Sequence, residues 1–187
     1  MKLEVRGKVW PRDRSRAVVM ALGLAFVLTG PARCIAAEYE EVAVYVDGQQ
    51  VDFVSKIRGG RLPALLVEGH PMVSARFVNE VLGYGLDLHM WPWGIVRIGH
   101  VSFKVGCDYA LMPVPGIGGT RSSRLDLALA PRTINGRLYV PAVETVGALR
   151  HTQERDGKRW FICHEVAWDT EVSLLRINTV EKELVSD

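Results

Sequence analysis

The chain has 187 residues, 48% apolar and 24% charged, which fits a globular protein of one domain or two small halves and excludes a disordered tail or a polytopic membrane protein. The formal charge of +2 is unevenly spread: residues 1–37 hold seven Lys and Arg against Glu4 and Asp13, a net of +5, which leaves −3 on residues 38–187. A mildly acidic body lacks the clustered cations that displace counterions from a phosphate backbone, so nucleic acid is excluded as a partner.

The basic start runs into an uncharged apolar stretch of 12 residues, 17–28, followed by Gly30, Pro31 and the small residues Ala36 and Ala37. This is the three-part layout of a secretory signal peptide over residues 1–37, with cleavage expected after Ala37 and a short linker, 38–41, leading to the folded body. A bilayer span needs roughly 20 apolar residues, so a cleaved signal is favoured over a retained membrane anchor. The neighbours of Cys34 are not those of a lipid-modified cysteine, and the absence of paired arginines points to the general export route. Removal of Cys34 leaves Cys107 and Cys163 in an oxidising compartment. A disulfide between them is expected, worth roughly 2–4 kcal/mol if unstrained, against the alternative of two buried free thiols. Thiol counting on the secreted protein decides between them; free thiol at both positions ends the disulfide reading.

In the body, strand and turn signals alternate. Residues 42–46 and 50–53 flank Asp47-Gly48, a dipeptide suited to the left-handed turn of a twisted hairpin. Residues 64–67 form a short apolar strand before Glu68-Gly69. Residues 86–90 and 95–98 flank Trp91-Pro92-Trp93-Gly94, a second hairpin with Pro and Gly at its tip. Residues 101–105 alternate apolar and polar, the period of a half-buried strand. Between these, Val73, Phe77, Val78, Val81 and Leu82 recur at helical spacing, with Ser74 suited to cap the amino end and Gly83 the carboxyl end. A ten-residue helix is unstable alone in water, so this one must lie against a sheet.

The second half repeats the order. Residues 131–141 read as strand, Asn135-Gly136 turn and strand, aligning with 65–74 so that Gly136 falls on Gly69 and Val140 on Val73. A helical stretch, 142–149, then leads through 150–153 and the turn Asp156-Gly157 to a strand over 158–163.

Asn135-Gly136-Arg137-Leu138-Tyr139-Val140-Pro141, the earlier helix from Val73 to Gly83, Val105-Gly106, Ala130-Pro131 and Val44-Tyr45-Val46-Asp47-Gly48 resemble the copper amine oxidase N-terminal domain-like family, also called stalk domains. The resemblance covers residues 42–163 and lies in the order and duplication of these short phrases. It implies an α+β fold with two related halves, each an antiparallel sheet curled round a short helix. The halves would span about 42–112 and 125–164 of a module over 42–164, with 165–187 as a C-terminal extension. It also implies a non-catalytic module of exported bacterial envelope proteins, often beside cell-wall hydrolases. Two departures stand out: Ser74 occupies a place where the family prefers proline, and the second helix reads about three residues shorter than the first.

The copper oxidase chemistry in the family name needs a quinone-forming tyrosine, usually after Asn, and a His-x-His pair. No Tyr follows an Asn, and none of His70, His89, His100, His151 and His164 forms such a pair. Also missing are a Gly-x-Ser-x-Gly elbow, a His-Glu-x-x-His helix and a Cys-x-x-Cys pair. The expectation is therefore no catalysis and no cofactor.

Four features bear on binding. The glycine-rich, basic segment 113–124 offers backbone amides with Arg121 and Arg124 to an anion, or simply connects the halves. Trp91 and Trp93, with His89 nearby, offer ring faces for stacking on cell-wall sugars, or clasp their hairpin. His89, Met90 and His100 have donor types suited to copper, though loosely spaced, so no metal site is assigned. The extension 165–187 carries enough apolar residues for an amphipathic helix or an added strand, as against a frayed tail.

The expected protein is an exported, extracellular or envelope binding or scaffolding module whose partner is cell-wall glycan or an envelope protein. The alternatives are a cell-wall hydrolase with an unrecognised site and a periplasmic metal-handling protein.

Overall fold

The computed structural model describes residues 39–57, 59–88, 94–116 and 119–184. The chain divides between Ala37 and Glu38, and every element below belongs to the unit that starts at Glu38. Two-residue turns organise that unit. Asp47-Gly48, Glu68-Gly69, Asn135-Gly136 and Asp156-Gly157 all have positive φ at both positions, the type I′ geometry whose twist matches paired strands.

These turns join β1 (Glu40–Val46) to β2 (Gln49–Gln50), β3 (Ala64–Val67) to β4 (His70–Ser74), β10 (Arg132–Ile134) to β11 (Arg137–Pro141), and β12 (Arg150–Arg155) to β13 (Lys158–Asp169). With β14 (Leu174–Leu184) they build one sheet in the order β10-β11-β4-β3-β1-β14-β13-β12, with β2 also on β1. A second sheet runs in sequence through β5 (Leu86–Asp87), β6 (Ile95–Ile98), β7 (Val101–Lys104), β8 (Tyr109–Gly116) and β9 (Gly119–Asp126). Helices α1 (Ala75–Glu80) and α2 (Ala142–Ala148) follow directly on β4 and β11. The fold is mostly β-sheet with two short helices, α+β in the broad sense. Among the described residues no helix is long and apolar enough to cross a membrane.

The two strand–turn–strand–helix segments are neighbours in one sheet. β4 and β11 pair antiparallel with Val73 opposite Val140, the two positions that the sequence alignment superposes. Both valines are almost fully buried, in a core that also takes Phe77 and Val78 of α1, Val146 of α2, Val96 and Phe103 of the second sheet, and Leu175 and Ile177 of β14. A smaller cluster of Leu65, Val67, Met72, Leu129, Ile134 and Tyr139 forms beside it. Gly99, with φ +56°, is required by space as well as conformation, since a Cβ there would lie 3.1 Å from both Tyr84 and Leu149 side-chain atoms.

Several expectations are corrected. The main sheet is mixed, because β14, the last strand of the β12-β13-β14 meander, reaches β1 running in the same direction. The first helix is shorter than ten residues: Val73 belongs to β4, where a β-branched residue packs well, and α1 begins after Ser74, whose hydroxyl accepts from the Phe77 amide at 3.0 Å. The second helix is accordingly no shorter than the first. Residues 38–41 are not simply a linker, since Glu40 and Glu41 already pair with Leu66 and Leu65. Nor is segment 113–124 a loose connection; it lies in a hairpin closed by Gly116 opposite Gly119.

At position 164 the chain is within a strand, β13, which runs on to Asp169. Far from fraying, the C-terminal residues supply the central strand β14, with Leu175 and Ile177 fully buried. Their alternation of apolar and polar residues is a strand signal that only pairing with β1 and β13 makes decisive. Leu175→Ala is therefore expected to cost about 2–5 kcal/mol, and Ser74→Ala about 1 kcal/mol through loss of the α1 cap. Urea unfolding followed by circular dichroism measures both; a negligible effect of Leu175→Ala would mean that β14 is not part of the core.

Candidate functional site

The type I′ turn at Asp156-Gly157 sets the register of β12 on β13, placing His151 opposite Ile162 and Gln153 opposite Trp160. β14 then places Glu181 opposite Ile162 and Thr179 opposite His164. Side chains two apart on a strand share a face, so His151, His164, Thr179 and Glu181 gather on one side of three strands. The carboxyl end of α1 (Val81, Leu82, Gly83) and Asp47 in the β1–β2 turn complete a cleft of about 460 Å³.

Its carboxylates are held in place. Asp47 accepts from the Thr179 amide at 2.6 Å through Oδ1 and from the Thr179 hydroxyl at 2.9 Å through Oδ2. Glu181 pairs with Arg155 at 3.0 Å, and Arg155 also donates to Gln153 Oε1 at 2.7 Å.

The imidazoles are different. His164 is only 7% exposed, yet neither Nδ1 nor Nε2 has a hydrogen-bond partner among the described residues; the same holds for His151 Nδ1 and the Tyr84 hydroxyl. The three rings touch: Tyr84 meets His151 edge-on at 5.0 Å and His164 at 5.6 Å between centroids. Burial pushes the His164 pKa below its ordinary value, an effect that Asp47 opposes and His151 reinforces. Burial likewise raises the Tyr84 phenol to about 12, helped by the nearby Cys163. At neutral pH the His164 imidazole and the Tyr84 phenol are thus both neutral, each with capacity to donate or accept.

Buried polar atoms without partners are uncommon and each costs about 1–3 kcal/mol unless something else satisfies it. An anion would face Asp47 and Glu181, and an apolar ligand would leave the ring nitrogens stranded. No three His, Cys, Asp or Glu side chains among the described residues converge to hold a metal ion.

The residues singled out from the sequence lie elsewhere. Trp91, Trp93, His89 and Met90 fall outside the described residues, as does segment 1–37. His100 is half-buried in the turn between β6 and β7. Arg121 is exposed on β9 opposite Val114. Arg124 is engaged, pairing with Asp126 at 2.6 Å and lying 4.7 Å over the Tyr109 ring. Cys107 sits between β7 and β8 and Cys163 on β13, unbonded to each other; the Cys163 thiol faces the Val180 carbonyl at 3.8 Å. Sequence reading considered His151 and His164 only as members of an absent His-x-His pair, and it missed the roles of Tyr84, Thr179 and Glu181 altogether.

Comparison with protein-family models, with curated proteins and with solved structures finds no match to this chain.

The depressed His164 pKa has a testable consequence. As pH falls below about 6.5 the unfolded chain takes up a proton that folded His164 refuses, so this stability is fully present above 6.5 and is lost on acidification towards the folded pKa. The slope attributable to one such group is at most about 1.4 kcal/mol per pH unit. His164→Gln is expected to flatten the fall in unfolding free energy between pH 7 and 5, as measured by urea titration; parallel profiles for the two proteins would contradict this.

Proposed function

We propose that this protein is a non-catalytic binding module exported to the bacterial cell envelope, and that the His151–His164 cleft holds a neutral sugar unit of cell-wall glycan. The observation that carries the reading is a cleft lined by His151, Gln153, His164, Thr179 and Glu181, of which His164 Nδ1 and Nε2 and His151 Nδ1 are buried without a partner among the described residues. Hydroxyl and amide groups of a sugar can pair with the polar side chains of such a lining without bringing charge into a partly buried site. Export rests on the basic, apolar and small-residue succession of residues 1–37.

The chain is further read as two copies of one unit, resembling the stalk-domain family. The 67-residue offset that carries Glu68-Gly69 onto Asn135-Gly136 also carries Val73 onto Val140, and each turn has the same left-handed conformation. The shared sheet, in which these two valines pair, supports a duplication in which the copies merged rather than remained separate.

A hydrolase is the less favoured reading. Glycoside cleavage uses one carboxyl group kept protonated by an apolar setting and a second kept ionised. In this cleft Asp47 accepts two hydrogen bonds from Thr179 and Glu181 pairs with a guanidinium, so neither carboxyl group has an apolar setting.

The test is retention of the exported protein on purified peptidoglycan and its binding to soluble N-acetylglucosamine oligomers. Wild type is expected to be retained, and the double variant Gln153→Ala/Thr179→Val to bind at least about tenfold more weakly while remaining folded by circular dichroism. Wild type that washes through, or a variant retained equally well, overturns the reading.

A further inference from the structure

A second cavity, of about 360 Å³, opens where α1 and β11 approach β5, and its character is opposite to that of the histidine cleft. Leu62, Leu86, Leu88 and Leu138 are among the residues that line it, together with Arg76 and Arg137. It lies at the small end of the range of small-molecule sites, roughly 300–1,000 Å³.

Among the described residues, neither guanidinium is fully used. Arg137 packs its Nη2 beside Gly60, where a Cβ would stand 3.4 Å away, while its Nη1 is buried with no hydrogen-bond partner among the described residues. Arg76 reaches Glu80 only at 3.7 Å, beyond hydrogen-bonding distance. The Glu80 oxygens are already taken by the Ser55 hydroxyl at 3.0 Å and the Lys56 amide at 2.8 Å. Among the described residues that line the chamber, Arg76 and Arg137 are cationic and none is acidic. A buried guanidinium donor without an acceptor is costly, and its planar fork matches a carboxylate.

We infer that this cavity binds an aliphatic monocarboxylate, its carboxylate on Arg76 and Arg137 and its hydrocarbon chain against the leucines. The leucines disfavour a wholly polar anion such as free phosphate, whereas an aliphatic carboxylate meets both the apolar and the cationic residues of the lining. The site is separate from the histidine cleft, so the glycan reading and this one stand or fall independently.

Octanoate and octanol are the probes, titrated into the full chain at neutral pH by calorimetry, with the Leu62 and Leu138 methyl resonances followed by NMR. Octanoate is expected to bind at least about tenfold more tightly than octanol, and hexanoate about 15-fold more weakly than octanoate, since each buried methylene contributes about fourfold. Arg137→Met and Arg76→Gln are each expected to weaken octanoate at least about fivefold and to leave octanol unchanged. Arg76 lies at the cavity mouth with its side chain partly exposed, so Arg76→Gln keeps the test valid if Arg137→Met fails to fold. Equal affinity for acid and alcohol, unchanged binding in Arg76→Gln, or no saturable binding of octanoate overturns the inference.

Discussion

The antiparallel pairing of β4 with β11 sets the position of both helices. Val73 and Val140 face each other with almost no exposure, and each strand passes into its helix within two residues of that pair. Because the strands run in opposite directions, α1 and α2 leave from opposite ends of one short ladder. Each helix is too short to persist alone, so both owe their existence to the core they share with β6, β7 and β14. A polar or much smaller residue at this pair would loosen two helices and two hairpins together.

The same arrangement creates two chemically different concavities. The carboxyl end of α1 meets the β12-β13-β14 meander at the histidine cleft, where buried imidazole nitrogens lack partners among the described residues. The start of α1 meets β11 and β5 at the leucine-lined cavity beneath Arg76 and Arg137. The helix α1 thus borders the leucine-lined cavity, and the three residues that follow it border the histidine cleft. Tyr84 and Gly99 tie this region together, the tyrosine ring filling the space that a side chain at Gly99 would need. Asp47 fastens the β1–β2 turn to Thr179 and holds that wall of the cleft against the parallel β1–β14 ladder.

Part of the cleft was within reach of the sequence. Once Asp156-Gly157 is taken as a two-residue turn, Arg155 must oppose Lys158, and counting back along the ladder brings His151 opposite Ile162, with His164 two residues further on the same face. That step needs only the period of a strand. The approach of Tyr84, Asp47, Thr179 and Glu181 was not legible. Tyr84 comes from a loop after α1, and Thr179 belongs to a strand whose alternating residues suit a helix partner or a sheet equally well when read alone. The glycine-rich segment misled for a related reason: Gly and Pro weaken strand signals, yet a strand paired with only one neighbour tolerates them.

What the sequence determined by itself was local. Left-handed turns at Asp-Gly and Asn-Gly, the Ser74 cap, the stop at Gly83 and the alternation within short strands all follow from backbone sterics and hydrogen bonding between near neighbours. What only the tertiary structure decided was which strand edges meet: β4 with β11, and β14 with β1 in parallel. Those choices depend on which apolar faces can be buried together across more than a hundred residues of chain, and no window of sequence encodes that sum. The orphaned imidazoles and the unmatched guanidinium belong to the same level, since a polar group becomes an anomaly only after the surrounding fold has taken away its water.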